Sequence, residues 1–184
     1  MIKLIKKYKW EILIFLFFVL SRIPDLGHDT FNTDVWKWKS RSYDFSTGVF
    51  TLDFEKTIQK YHPGVSLMWI GTFGIKVSNM INDIWLNNPS NSIEAVFVLH
   101  FIQKLFLVLI LGIVFSFIFY ALKNLFSFKL AVISTGLIVL EPFFIALTRT
   151  FHLEGLMSVF MLAAVLWFYY WINPTPGFKK GTDL

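Results

Sequence analysis

Leu105-Phe-Leu-Val-Leu-Ile-Leu-Gly-Ile-Val-Phe-Ser-Phe-Ile-Phe-Tyr-Ala-Leu122 contains no charged side chain. As a helix this stretch rises about 27 Å, close to the roughly 30 Å hydrocarbon thickness of a bilayer. Extended back to Ala95, it reads as a membrane span over 95–122. His100, Gln103 and Lys104 share one face of its first turns, where the sequence predicts an interfacial position with Lys104 snorkelling towards water. The rest of the chain is read from this span outward.

On its C-terminal side, Asn124 to Lys129 is a short polar break. A further span is predicted over 130–147, with Glu141-Pro142 near its far end, and another over 153–172. The tail 173–184 is polar and carries Lys179 and Lys180. On its N-terminal side, Asn87 to Ser92 is rich in turn residues. A long loop over 25–93 comes before it, and a first span over 8–24 before that. Tyr8 to Pro24 would rise about 25 Å as a helix, with Tyr8 and Trp10 at the interface. Ser21-Arg22-Ile23-Pro24 lacks a small-x-small cleavage pattern, which favours an uncleaved anchor over a signal peptide.

Composition agrees. The chain is 55% hydrophobic and 16% charged, well under the roughly 25% charge usual in soluble domains. The formal charge of +5 is spread along the chain without a Lys/Arg block, which argues against nucleic acid as a partner. With no cysteine there are no disulfides and no thiolate chemistry. The fold expected is all-α: a single polytopic membrane domain over 1–184 with four transmembrane helices. The N-terminal lysines, Lys123 with Lys129, and Lys179 with Lys180 then fall on one side. The positive-inside rule makes that side, with both termini, cytoplasmic.

The loop 25–93 is charge-balanced and patterned. Thr33 suits a helix N-cap, with Asp34 in the first turn. Val35, Trp38 and Phe45 recur at helical spacing. A second helix is predicted to begin near Pro63, with Val65, Trp69, Phe73, Val77, Met80 and Ile84 along one face. Both helices read as amphipathic and juxtamembrane, apolar side down on the bilayer.

Three groups of residues could carry chemistry. Asp34 is either a solvated helix carboxylate or a general base near Lys37 and Arg41. His62-Pro63-Gly64 is either a plain helix start or an anion site, since an imidazole at the positive helix end favours its neutral form or a bound anion. Glu141, Arg149, His152 and Glu154 lie close together at the end of one span and the start of the next. They form either a structural Arg149–Glu154 ion pair or a site, because ionisable residues near hydrocarbon usually mark one of the two. No metal-ligand spacing, phosphate-binding glycine loop or Ser-His-Asp pattern is present, so no cofactor is implied; a divalent cation is not derivable from the residues.

Together these pieces resemble the GT-C superfamily of polytopic glycosyltransferases, nearest the protein O-mannosyltransferase and aminoarabinose transferase families. Thr33-Asp34-Val35 resembles the acidic Asp-Glu motif of the first extracytoplasmic loop, with Val35 where the family has Glu. Tyr61-His62-Pro63-Gly64 resembles the juxtamembrane His-Pro-Pro or Lys-Pro-Pro motif. Leu140 to Glu154 is similar to the third-to-fourth span junction of bacterial members, with its Arg, His and acidic residue. Family members are several times longer, so the resemblance implies the N-terminal portion of such an enzyme.

The resemblance implies transfer of a mannose-like sugar from a polyprenyl-phosphate carrier to a hydroxyl of a protein or glycan acceptor, outside the membrane and with inversion. It implies catalytic roles for Asp34, which takes the acceptor proton, and Glu154, which orients the acceptor or a basic group. Arg41, His62, Arg149 and His152 would bind substrate, Arg149 and His152 by offsetting charge on the departing lipid phosphate. The setting implied is the inner or plasma membrane of a prokaryote. The competing class is a non-catalytic membrane protein, a scaffold or transporter subunit that uses the loop helices for binding.

Overall fold

A computed structural model describes residues 6–28, 33–58, 64–87, 89 and 92–173. The described residues are helical, with no strand. In chain order the helices are α1 (Lys9–Leu20), α2 (Thr33–Thr51), α3 (Val65–Ile81), α4 (Ile93–Leu125), α5 (Phe128–Leu140), α6 (Pro142–Arg149) and α7 (Leu153–Ile172). A 3₁₀ turn at Phe54–Thr57 follows α2, and a π turn at Asn82–Leu86 follows α3.

Helix α4 is the spine, against which α1, α3, α5, α6 and α7 all pack. Ser92 starts it, its Oγ accepting the Ala95 amide at 3.1 Å, an N-cap of the usual kind. Leu107, Val108, Leu111, Phe115, Ile118 and Phe119 are fully buried along it. In lipid such contacts stabilise by van der Waals packing, because hydrocarbon itself is no less apolar than leucine. Gly112 lets α1 approach closely: a Cβ there would lie 3.1 Å from both Phe15 and Val19.

Among the described residues two helices, α4 and α7, are long and apolar enough to cross a membrane. The predicted span 130–147 is two helices, α5 and α6, bent by 68° at Glu141. Pro142 supplies no N–H and disfavours the α conformation in the residue before it. Glu141 accordingly adopts an extended ψ of 122°. Its carboxylate accepts the amides of Phe143, at 3.0 Å, and Phe144, so this glutamate is the N-cap of α6. Taken as one broken span, the pair brings the total to three.

The predicted first span, 8–24, shrinks, since α1 has only 12 residues, about 18 Å of helix. The chain around it nonetheless runs the depth of α4. Glu11 pairs with Lys123 at one end, and at the other a Cβ on Gly27 would sit 2.9 Å from Phe101 Cβ. Between Phe101 and Lys123, α4 rises about 33 Å.

The two loop helices differ in what they bury. On α2 the predicted apolar face turns into the protein, not onto a bilayer: Val35, Trp38 and Phe45 are buried. On α3 the predicted stripe of Val65, Trp69, Phe73, Met80 and, beyond its end, Ile84 is exposed. The opposite face packs instead, through Leu67, Met68, Gly71, Gly74 and Ser78. A Cβ at Gly71 would sit 2.2 Å from Ser42 Oγ, and one at Gly74 2.5 Å from Gln103 Cγ. The small residues therefore let α2 and α4 close on α3.

Candidate functional site

At the Gly27 end of the bundle, Trp38 of α2 is a hub for several of the residues singled out above. The Arg41 guanidinium lies 4.8 Å over its ring. The His152 ring meets it edge-on at 6.1 Å. A Cβ on Gly64 would fall 2.3 Å from the indole, so glycine is required where the chain enters α3. One helical turn before Trp38, Asp34 is exposed and accepts a hydrogen bond from Lys37 Nζ at 3.0 Å. That bond, and then the Lys37 charge, hold its carboxyl below the usual carboxylate range, with a smaller push from His152. The structure thus brings Arg41 and His152 to one indole, with Asp34 one helical turn away on the same helix.

Glu154 stands in the first turn of α7, with its carboxylate 3.7 Å from His152 Nδ1. The same nitrogen accepts the Glu154 amide at 3.4 Å, making His152 the N-cap of α7. A neutral Nδ1 can cap and a protonated one can pair, but it cannot do both. Of the two readings offered for this cluster, the Arg149–Glu154 ion pair is not formed; the Glu154 carboxylate lies beside His152 instead. Arg149 ends α6, and its Nη2 donates to Pro24 O at 2.5 Å. It ties the turn to the end of the first apolar segment. His62 lies outside the described residues. Among the described residues no group of three His, Asp or Glu side chains is placed to hold a metal ion.

Two buried cationic positions were not legible as such. Arg22 is fully buried. Its Nε donates to Thr148 Oγ1 at 2.9 Å and its Nη1 to Val139 O at 3.2 Å, while its guanidinium lies 3.8 Å over the Phe18 ring. The second position corrects an expectation. His100, Gln103 and Lys104 do not sit at an interface with water; all three are buried inside the fold. Lys39 of α2 reaches in to donate to Gln103 Oε1 at 2.7 Å, and Gln103 Nε2 donates to Gly71 O at 3.2 Å. Desolvation, then the nearby Lys104 charge, lowers the Lys39 pKa to about 7. A signal for Lys39 existed, because it falls four residues after Val35 on the stripe that includes Ser42 and Ser46, all buried.

No family model matches the chain, and no characterised protein or solved structure is significantly similar to it.

Proposed function

We propose that the chain is the N-terminal part of a membrane glycosyltransferase that moves a mannose-like sugar from a polyprenyl-phosphate carrier to an acceptor hydroxyl outside the membrane, with inversion. The observation that carries this reading is that Arg41 and His152 meet on Trp38, with Asp34 one turn before it and within electrostatic reach of His152, so that two motifs more than a hundred positions apart come to one place. Asp34 is ionised at neutral pH, exposed and able to take a proton. Arg149 and His152, at the turn between α6 and α7, would offset charge on a departing phosphate, and electrostatic help of this kind usually contributes most to the catalysis of group transfer. The first apolar segment runs alongside α4 from Lys123 to Phe101. That fits a four-span arrangement, and the lysines at the Lys123 end then favour both termini in the cytoplasm and the Asp34 end outside, in what we take to be a prokaryotic plasma membrane. The exposed Val65, Trp69 and Phe73 face of α3 is the side that would meet lipid.

The test is transfer and carrier binding in reconstituted membranes. A polyprenyl-phosphate-linked sugar should bind, and Arg149→Ala should weaken binding by roughly tenfold, the scale of one charge-assisted contact. Binding unchanged by Arg149→Ala and by His152→Ala together would overturn the phosphate role.

A non-catalytic membrane protein is the second reading. It is favoured by the way each reacting group already has a neighbour: Asp34 has Lys37, Glu154 has His152, and Arg149 has Pro24 O. If the wild-type protein neither transfers the sugar nor binds the carrier, and Asp34→Asn and Arg149→Ala change stability alone, this reading wins.

A further inference from the structure

The opposite end of the bundle holds a cavity of about 580 Å³ between α1, α4 and α7, within the roughly 300–1,000 Å³ range of small-molecule sites. Its walls are apolar, with Ile12 and Phe15 from α1 facing Ile113 and Phe117 from α4. Tyr8, Tyr120 and Trp167 line it as well, and Trp167 stacks on Tyr120 at 6.0 Å. Such amphipathic rings mark the headgroup level of a bilayer.

One polar group in this wall is unsatisfied. Glu11 lines the cavity and is buried. Its Oε1 takes the Lys123 ammonium, while its Oε2 is buried with no hydrogen-bond donor. Leaving a buried carboxylate oxygen unpaired is unfavourable, and a ligand that donates to it recovers the loss. Lys123 is the more exposed partner and keeps further N–H groups for an anion. The two side chains therefore offer a negative and a positive charge side by side, at the headgroup level, over an apolar cavity.

We infer that this cavity is a lipid site for a zwitterionic headgroup with a primary ammonium, as in phosphatidylethanolamine. The ligand ammonium donates to Glu11 Oε2, its phosphate meets Lys123, and one acyl chain lies between Ile12, Phe15, Ile113 and Phe117. A choline headgroup has no N–H to donate, and a glycerol headgroup brings no positive charge to Glu11. The inference rests on residence in a membrane and not on sugar transfer, so either reading can fail without the other.

The experiment is lipid retention by the full chain, purified from mixed micelles with equal phosphatidylethanolamine, phosphatidylcholine and phosphatidylglycerol, and read by native mass spectrometry. Wild type should retain the ethanolamine lipid roughly tenfold over the choline lipid, the scale of one charge-assisted hydrogen bond. Glu11→Gln should remove that preference. Ile113→Trp, which leaves the Glu11–Lys123 pair intact, should fill the cavity and abolish retention of all three. Equal retention of ethanolamine and choline lipids by wild type overturns the inference, as does an ethanolamine preference that survives both variants. Efficient cross-linking of two copies through Phe117→Cys, with no lipid retained, would assign the cavity to a second copy instead.

Discussion

Arg22 and Thr148 lie 126 residues apart in the chain and 2.9 Å apart in the fold. The bond joins the end of the first apolar segment to α6, the second arm of the broken helix pair. The guanidinium also reaches Val139 O, a carbonyl whose ordinary helical donor, the Phe143 amide, has been taken by Glu141. Arg22 and Glu141 therefore cap the two sides of one break, the cation on carbonyls and the carboxylate on amides, as the helix dipoles favour.

Replacing Arg22 with Ala removes that cap and the packing on Phe18. It should lower stability by about 2–4 kcal/mol, read as a large fall in the unfolding midpoint in detergent. Arg22→Lys should recover only part of this, since an ammonium lacks the planar fork that serves Thr148 and Val139 from different nitrogens.

Lys39 makes stability depend on pH. Its folded pKa is lowered from 10.5 to about 7, so between those values the unfolded chain binds more protons than the folded one. Stability therefore rises with pH across that window and is flat below it. The unfolding midpoint should climb between pH 7 and 10 in the native protein. Lys39→Met should flatten the slope. An unchanged slope in the variant would show that Lys39 is not the titrating group.

The absence of an Arg149–Glu154 pair can be tested by a charge swap. Were the two partners, Arg149→Glu with Glu154→Arg would recover what each single change loses. With Glu154 facing His152 and Arg149 bound to Pro24 O, the double-mutant coupling in stability should stay within about 0.5 kcal/mol of zero. His152→Ala with Glu154→Ala should couple more strongly.

Helix type was legible wherever periodicity was strong, as in α4 and α7, where long apolar runs leave no other solution. Direction was not. Val35, Trp38 and Phe45 were correctly read as one face, but whether such a face meets lipid or protein depends on what lies opposite. Here the opposing surface is α3, whose glycines and Ser78 carry no hydrophobic signal. The same difficulty hid the Lys39–Gln103 contact, which joins residues 64 positions apart. Glu141-Pro142 was read as lying within one continuous span, because the capping at the 68° bend involves Arg22, more than a hundred residues away. Of the candidate site, Asp34, Arg41 and His152 converge, whereas Arg149 and Glu154 go to separate neighbours.

Under the proposed function, Asp34→Asn should cut sugar transfer by roughly two orders of magnitude or more, the contribution of a positioned base, with carrier binding near wild type. Lys37 holds the carboxyl below its ordinary range. The acid limb of the rate profile should therefore lie below the usual Asp value of about 3.9, and Lys37→Met should move it upward. Transfer within a few-fold of wild type in Asp34→Asn would pass the role to another residue.

The break at Glu141-Pro142 decides whether α5 and α6 cross the membrane as one helix. Pro142→Ala restores an N–H but leaves the Glu141 carboxylate on the Phe143 and Phe144 amides and Arg22 on Val139 O. The bend should therefore survive that single change. Only the double change Glu141→Ala with Pro142→Ala, which frees both amides and lets Phe143 N–H return to Val139 O, should straighten the pair. The chain has no native cysteine, so spin labels placed at Ile133 and Ala146, both exposed, report this cleanly. In a straight helix their Cα atoms stand about 20 Å apart, and the observed bend shortens that by about 3 Å. Lengthening in the double variant but not in Pro142→Ala is the expected pattern. Straightening by Pro142→Ala alone would show that the missing N–H, and not the pair of caps, sets the bend. Equal distances in all three proteins would show that packing against α4 holds the angle whatever the sequence at the break.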